Sequence, residues 1–153
     1  KVRAVALGNH HTVFVTTRNQ LYGCGSNQYA QLGFSSEHYP VFKNPRKLLL
    51  SNPITSQNET PTLIDASEQY TLVVTKQSSI FITCPSEGKF ALCSTEDSHK
   101  GGFSGGSGIQ SRKQDIVAIS AGYIGALFVS ATGLAFWMDL TFMDVTAEEV
   151  ALQ

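Results

Sequence analysis

Three stretches of the chain share one pattern of apolar and polar positions. Each opens with a short apolar strand ending at a small residue: Ala6, Ala66 or Ala121. A tight turn follows, anchored at Gly8, Ser67 and Gly122, which lie 59 and 55 residues apart. A second strand rich in Val, Leu, Phe and Thr comes next, then a polar turn: Thr17-Arg18-Asn19, Lys76-Gln77-Ser78 or Ala131-Thr132-Gly133. A third strand carries an aromatic residue 14 positions after the anchor in every copy: Tyr22, Phe81 and Phe136. β-branched and aromatic residues dominate, as a half-buried sheet requires. Asn19 and Gly133 suit the left-handed conformation of a hairpin turn; Ser78 fits it less well.

The grammar predicts an all-β chain of four-stranded antiparallel sheets. A period of roughly 50 residues is that of propeller blades. The repeat units are expected at about 2–42, 43–100 and 109–153, with a flexible Gly/Ser loop over 94–114. Arg46–Leu50, set off by Pro45 and Pro53, is a candidate fourth strand. Val145–Leu152 pairs Thr146 with Glu149 as a capping box and Val145 with Val150 as a staple, which predicts a short C-terminal helix; the alternative is a last strand. Three blades do not close a ring, since propellers typically have about 4–8. The chain is therefore expected to be an incomplete propeller, completed by further sequence or by another chain. Its start at Lys1-Val2-Arg3, already strand-like, fits a fragment.

Composition narrows the function classes. The 153 residues are 42% hydrophobic and 15% charged, against a typical value of about 25% charged. Lys plus Arg is 11 and Asp plus Glu is 12, a formal charge of −1, which disfavours direct nucleic-acid binding. No apolar run approaches the ~20 residues that span a bilayer, so no membrane partner is expected. Cys24, Cys84 and Cys93 form no C-x-x-C pair, which argues against a disulfide framework and a zinc site and for a cytoplasmic or nuclear protein. The triplet Asn58-Glu59-Thr60 matches a glycosylation sequon of the kind that arises by chance.

No catalytic, metal or cofactor constellation emerges. The glycine run at 101–108 lacks the Lys-Ser/Thr of a phosphate loop. Asp65 and Glu68 read as solvated carboxylates at a turn. His10 and His11 have no second ligand at metal spacing. Lys43, Arg46 and Lys47 form a small basic cluster, suited to an acidic partner or to gatekeeping around Leu48-Leu49-Leu50. Loops on a rigid scaffold carry function, so Tyr29, His38 and Tyr39, in the stretch around Gly33, are the candidate partner contacts.

Gly8-x-x-His11-Thr12 and Gly25-Ser26-Asn27-Gln28-Tyr29-Ala30-Gln31-Leu32-Gly33 resemble the repeat of the regulator of chromosome condensation family. The first copy departs from it at Asn19 and Ala30, where the repeat has glycine, and at Cys24, where it has tryptophan. The third copy keeps Gly122, Gly133 and Phe136, with Gly125 in place of the histidine; the second keeps only the spacing. The resemblance covers roughly residues 2–140 and implies a seven-bladed β-propeller. It implies structural roles for Gly8, His11, Gly25, Asn27, Gln31, Leu32, Gly33, Gly122 and Gly133, with His11 a buried residue tying strand to loop. It further implies a non-enzymatic docking platform for another protein, such as a small GTPase or a ubiquitin-pathway component. The alternative it implies is a guanine-nucleotide exchange factor for a Ran-type GTPase. An enzyme using a central channel would need repeated inward acids or histidines, and the equivalent positions hold His11, Tyr70 and Gly125.

Overall fold

The structure, a computed structural model, describes residues 1–51, 55–84, 88–92 and 115–140. It is all-β among these residues and divides into two units, 1–93 and 94–153.

The first unit holds two four-stranded antiparallel sheets. One runs β1 (Val2–Leu7), β2 (His11–Thr16), β3 (Leu21–Ser26), β4 (Val41–Leu48) in spatial order. The other runs β5 (Pro61–Ala66), β6 (Thr71–Thr75), β7 (Ile80–Cys84), β8 (Lys89–Leu92). Strand alternation builds the core: on β2 His11, Val13 and Val15 are buried while Thr12, Phe14 and Thr16 are partly exposed. Val13, Val15, Leu21, Phe42 and Leu48 of the first sheet form one apolar cluster with Ala66, Val73, Phe81 and Phe90 of the second. The second unit holds β9 (Ile116–Ala121), β10 (Gly125–Ser130) and β11 (Ala135–Asp139), a three-stranded sheet in the order β11-β10-β9 among the described residues.

The three sheets repeat their hydrogen bonds as well as their spacing. At the anchor turn Gly8, Ser67 and Gly122 donate from N to the carbonyls of His11, Tyr70 and Gly125 at 2.9, 3.0 and 2.8 Å. At the hairpin Thr16, Thr75 and Ser130 donate from N to the carbonyls of Gln20, Ser79 and Leu134. Their hydroxyl oxygens accept the amides of the same residues, each at 3.2 Å. Asn19, Ser78 and Gly133 take φ of 57°, 62° and 83°. Ser78 therefore adopts the left-handed turn that its side chain disfavours, because the flanking bonds are the same in all copies.

Two expectations change. The fourth strand of the first sheet begins at Val41 and ends at Leu48, earlier than Arg46–Leu50, with a bulge opposite Gly23 and Gly25. Pro45 lies in that strand, the last of its sheet, where a missing donor breaks no ladder. The second sheet takes its fourth strand from Lys89–Leu92, a stretch the apolar pattern left unassigned. The Gly/Ser segment 94–114 and the helix expected at 145–152 lie outside the described residues.

Candidate functional site

The strands are antiparallel, so the β1–β2 turn and the β3–β4 connection leave the same end of the first sheet. That end carries the motif residues of the first copy. His11 is 3% exposed, and its Nε2 lies 2.9 Å from Thr71 Oγ1 on β6. The Thr71 hydroxyl donates its one proton to the Gln31 carbonyl at 2.6 Å. Thr71 Oγ1 must then accept from His11 Nε2–H, which fixes the tautomer. Nδ1 is left without a proton and, among the described residues, without a hydrogen-bond partner. Burial, with a smaller contribution from His10, pushes the His11 pKa down to about 4. A neutral, buried imidazole locked to a threonine is a joint between two sheets and not a proton shuttle at neutral pH.

Gly8 is part of this joint. A Cβ there would sit 2.3 Å from the Ser67 carbonyl and 2.4 Å from His11 Cε1. The two anchor turns thus touch backbone to backbone. Arg3 adds a second tie, its Nη2 donating to the Pro61 carbonyl at 2.6 Å.

The β3–β4 connection is organised by Asn27, which is fully buried. Its amide nitrogen donates to the carbonyls of Phe34 and Tyr39 at 3.0 and 2.8 Å, and its Oδ1 accepts the Leu32 amide at 2.9 Å. Gln31 Oε1 accepts the Tyr29 amide at 2.9 Å, and Leu32 is buried beneath. Ala30 stands where the repeat has glycine and still takes φ 54°; Gly25 and Gly33 are also at positive φ. In the second unit Gly122 makes the anchor bond and Gly133 the hairpin turn.

On this frame stands an aromatic group that exposes Tyr39 over the buried Phe42. Tyr39, 45% exposed, stacks on Phe42 at 5.7 Å, and Phe34 closes on Phe42 at 5.0 Å. The Arg46 guanidinium lies 5.5 Å from the Tyr39 centroid and 5.0 Å from that of Phe42. His38 adjoins the group, its ring 6.4 Å from Tyr39 and its Nδ1 3.1 Å from Ser35 Oγ. Tyr29, 46% exposed, is held separately through its backbone bond to Gln31.

Sequence reasoning missed Thr71, Phe34 and Phe42, and did not join Arg46 to Tyr39. A signal existed for Thr71: it stands four residues after its anchor, as Thr12 does. Asp65 accepts the neighbouring Ala66 amide, and Glu68 accepts from Asn9 Nδ2 at 3.4 Å between the two anchor turns. No group of three or more His, Cys, Asp or Glu suited to a metal ion occurs among the described residues.

Residues 2–31 match the model of the regulator of chromosome condensation (RCC1) repeat. No curated protein sequence matches significantly. Among solved structures, human WBSCR16 is similar with TM-score 0.65 at 17% identity, over 90% of this chain and 32% of that one. Yeast RCC1 (Prp20) bound to Kap60 is similar with TM-score 0.63 at 17% identity, over the same shares. Prp20p from Saccharomyces cerevisiae, in a study of its binding to Gsp1p and histones, gives 0.64 at 14% identity, again over 90% and 32%. The chain thus spans about a third of the solved chains it resembles. Residues 2–31 match the regulator of chromosome condensation repeat, and the described sheets are similar in fold to the blades of RCC1-type β-propellers.

Proposed function

We propose that the chain belongs to a non-enzymatic β-propeller that docks another protein through the β3–β4 connection, in the cytoplasm or nucleus. The observation that carries this reading is the Tyr39–Phe42–Arg46 stack. Aromatic and arginine side chains dominate binding energy at interfaces, and here Tyr39, on a loop bonded through Asn27, is ordered against Phe42 and Arg46 of β4. The polar motif residues are engaged in holding the fold, which supports a docking role over a catalytic one. Cys24 is a free thiol, in keeping with a reducing compartment. The test is affinity capture with the intact protein beside a Tyr29→Ala/Tyr39→Ala variant. A stoichiometric partner held by the parent and lost from the variant supports the reading; equal capture by both removes it.

A second reading is exchange activity on a Ran-type small GTPase. It is favoured by the likeness to Prp20p, whose structure was studied together with its binding to Gsp1p. A nucleotide-release assay over a panel of small GTPases separates the two: acceleration supports exchange, and a flat response excludes it.

A further inference from the structure

We infer that the groove between β4 and β8 is a docking site for an extended acidic peptide carrying an apolar anchor. The inference rests on the docking reading and assigns it a second site, lateral to the Tyr39 group. β4 and β8 are each the last strand of their sheet, paired on one side only among the described residues. Between them opens a groove of about 580 Å³ whose walls include Phe34, Leu49, Phe90 and Leu92, with Lys47 and Lys89. Leu49 is 58% exposed, a large apolar side chain facing water at the groove. Lys47 and Lys89 are both exposed at the groove.

Charge singles out the occupant. The formal charge of −1 hides an asymmetry: residues 1–51 carry six Lys and Arg and a single acid, Glu37. Lys43, Arg46 and Lys47 all lie exposed along β4. An extended peptide satisfies each feature at once. Its backbone reaches a one-sided strand, alternate side chains enter the apolar wall, and its carboxylates meet the lysines. Nucleic acid fits less well, because its binders neutralise about 6–10 phosphates and the walls here are aliphatic and aromatic with two cations.

The test selects peptides from a random displayed library against the intact protein and measures the selected peptide by fluorescence anisotropy. The expected peptides are rich in Asp and Glu around a Leu or Phe. Their affinity should fall at least tenfold in Lys47→Glu/Lys89→Glu and in Leu49→Asp, weaken with salt, and stay unchanged in Tyr29→Ala, which leaves the Tyr39–Phe34 contact beside the groove intact. All these positions are exposed, and circular dichroism verifies that each variant is folded. Peptides without acidic excess, no selected peptide, or affinity indifferent to charge reversal overturns the inference. So does equal binding of a single-stranded oligonucleotide of the same charge, which assigns the edge to nucleic acid. Loss of a captured partner in the Tyr29→Ala/Tyr39→Ala variant alone rejects the groove while leaving the docking reading intact; capture unaffected by either variant rejects both.

Discussion

His11 and Thr71, 60 residues apart in sequence, are joined across two sheets by one 2.9 Å hydrogen bond whose direction is set by a third residue, Gln31. Thr71 relays between a side chain on β2 and a loop carbonyl. The histidine of the repeat is therefore held by the blade that follows it, and the Gln31 carbonyl is fastened to the same hydroxyl.

Thr71→Val keeps shape and removes the relay. It leaves the His11 Nε2–H and the Gln31 carbonyl buried without this partner. Each unsatisfied group costs about 1–3 kcal/mol, so a loss of about 3 kcal/mol is expected in urea unfolding followed by circular dichroism. His11→Ala and the double variant complete a cycle. The double variant should be more stable than the sum of the singles predicts; strict additivity would deny the relay.

His11 also sets a pH dependence. Its folded pKa of about 4 lies below the ordinary 6.5, so protons bind the unfolded chain more readily. The stability tied to neutral His11 is complete above pH 6.5 and is lost as pH falls toward 4. The full difference amounts to roughly 3 kcal/mol. The urea midpoint measured from pH 7.5 to 4 should decline through this window. In His11→Gln the decline should be shallower; an unchanged slope would assign it to other groups.

The blade pattern was legible in sequence because the strands keep their spacing and apolar composition and each turn its small anchor, even in the second copy, where β6 is buried along its whole length. Of the motif residues, Gly8, His11 and Gln31 meet at one joint with Thr71 and Ser67, whereas Gly33 packs against Phe90. The role of Thr71 was hard to read, despite its match in position to Thr12, because its partner lies in another copy and threonine is ordinary in a strand. β8 escaped because Lys89–Leu92 is four residues long, too short to display a period. The basic cluster Lys43, Arg46 and Lys47 was legible, but Lys89, which lines the same groove as Lys47, was not, because it lies on a strand of the other sheet. Tyr39 could be named from its loop, but its stacking with Phe42 and Arg46 depends on where the β4 bulge places them.

The hydroxyls at Thr16 and Thr75 repeat one hairpin bond but differ in a second. Thr75 Oγ1 also donates to buried Glu59 Oε2 at 2.5 Å. Thr16→Val should cost about 1 kcal/mol, the net worth of one hydrogen bond, whereas Thr75→Val also removes a bond to a carboxylate, worth about 1.5–3 kcal/mol. Unfolding by urea should rank Thr75→Val clearly below Thr16→Val. Equal losses would mean that Glu59 gains nothing from the threonine.

Gly8 and Gly133 separate two reasons for a glycine. Gly133 has φ 83° and open space around its missing Cβ, so Gly133→Ala carries only the left-handed penalty, about 1 kcal/mol. Gly8 is not at positive φ, yet a Cβ would overlap the Ser67 carbonyl and the His11 ring. Gly8→Ala should therefore cost about 3 kcal/mol by forcing the anchor turns apart. Trp137 is the sole tryptophan and lies on β11, so its fluorescence follows the Gly133 variant, while circular dichroism follows the Gly8 variant. In a His11→Ala background the ring overlap is gone and the Ser67 overlap remains, so Gly8→Ala should be partly, not fully, relieved. Full relief would make the ring the only obstacle, and no relief would leave the backbone contact as the whole reason for glycine at this anchor.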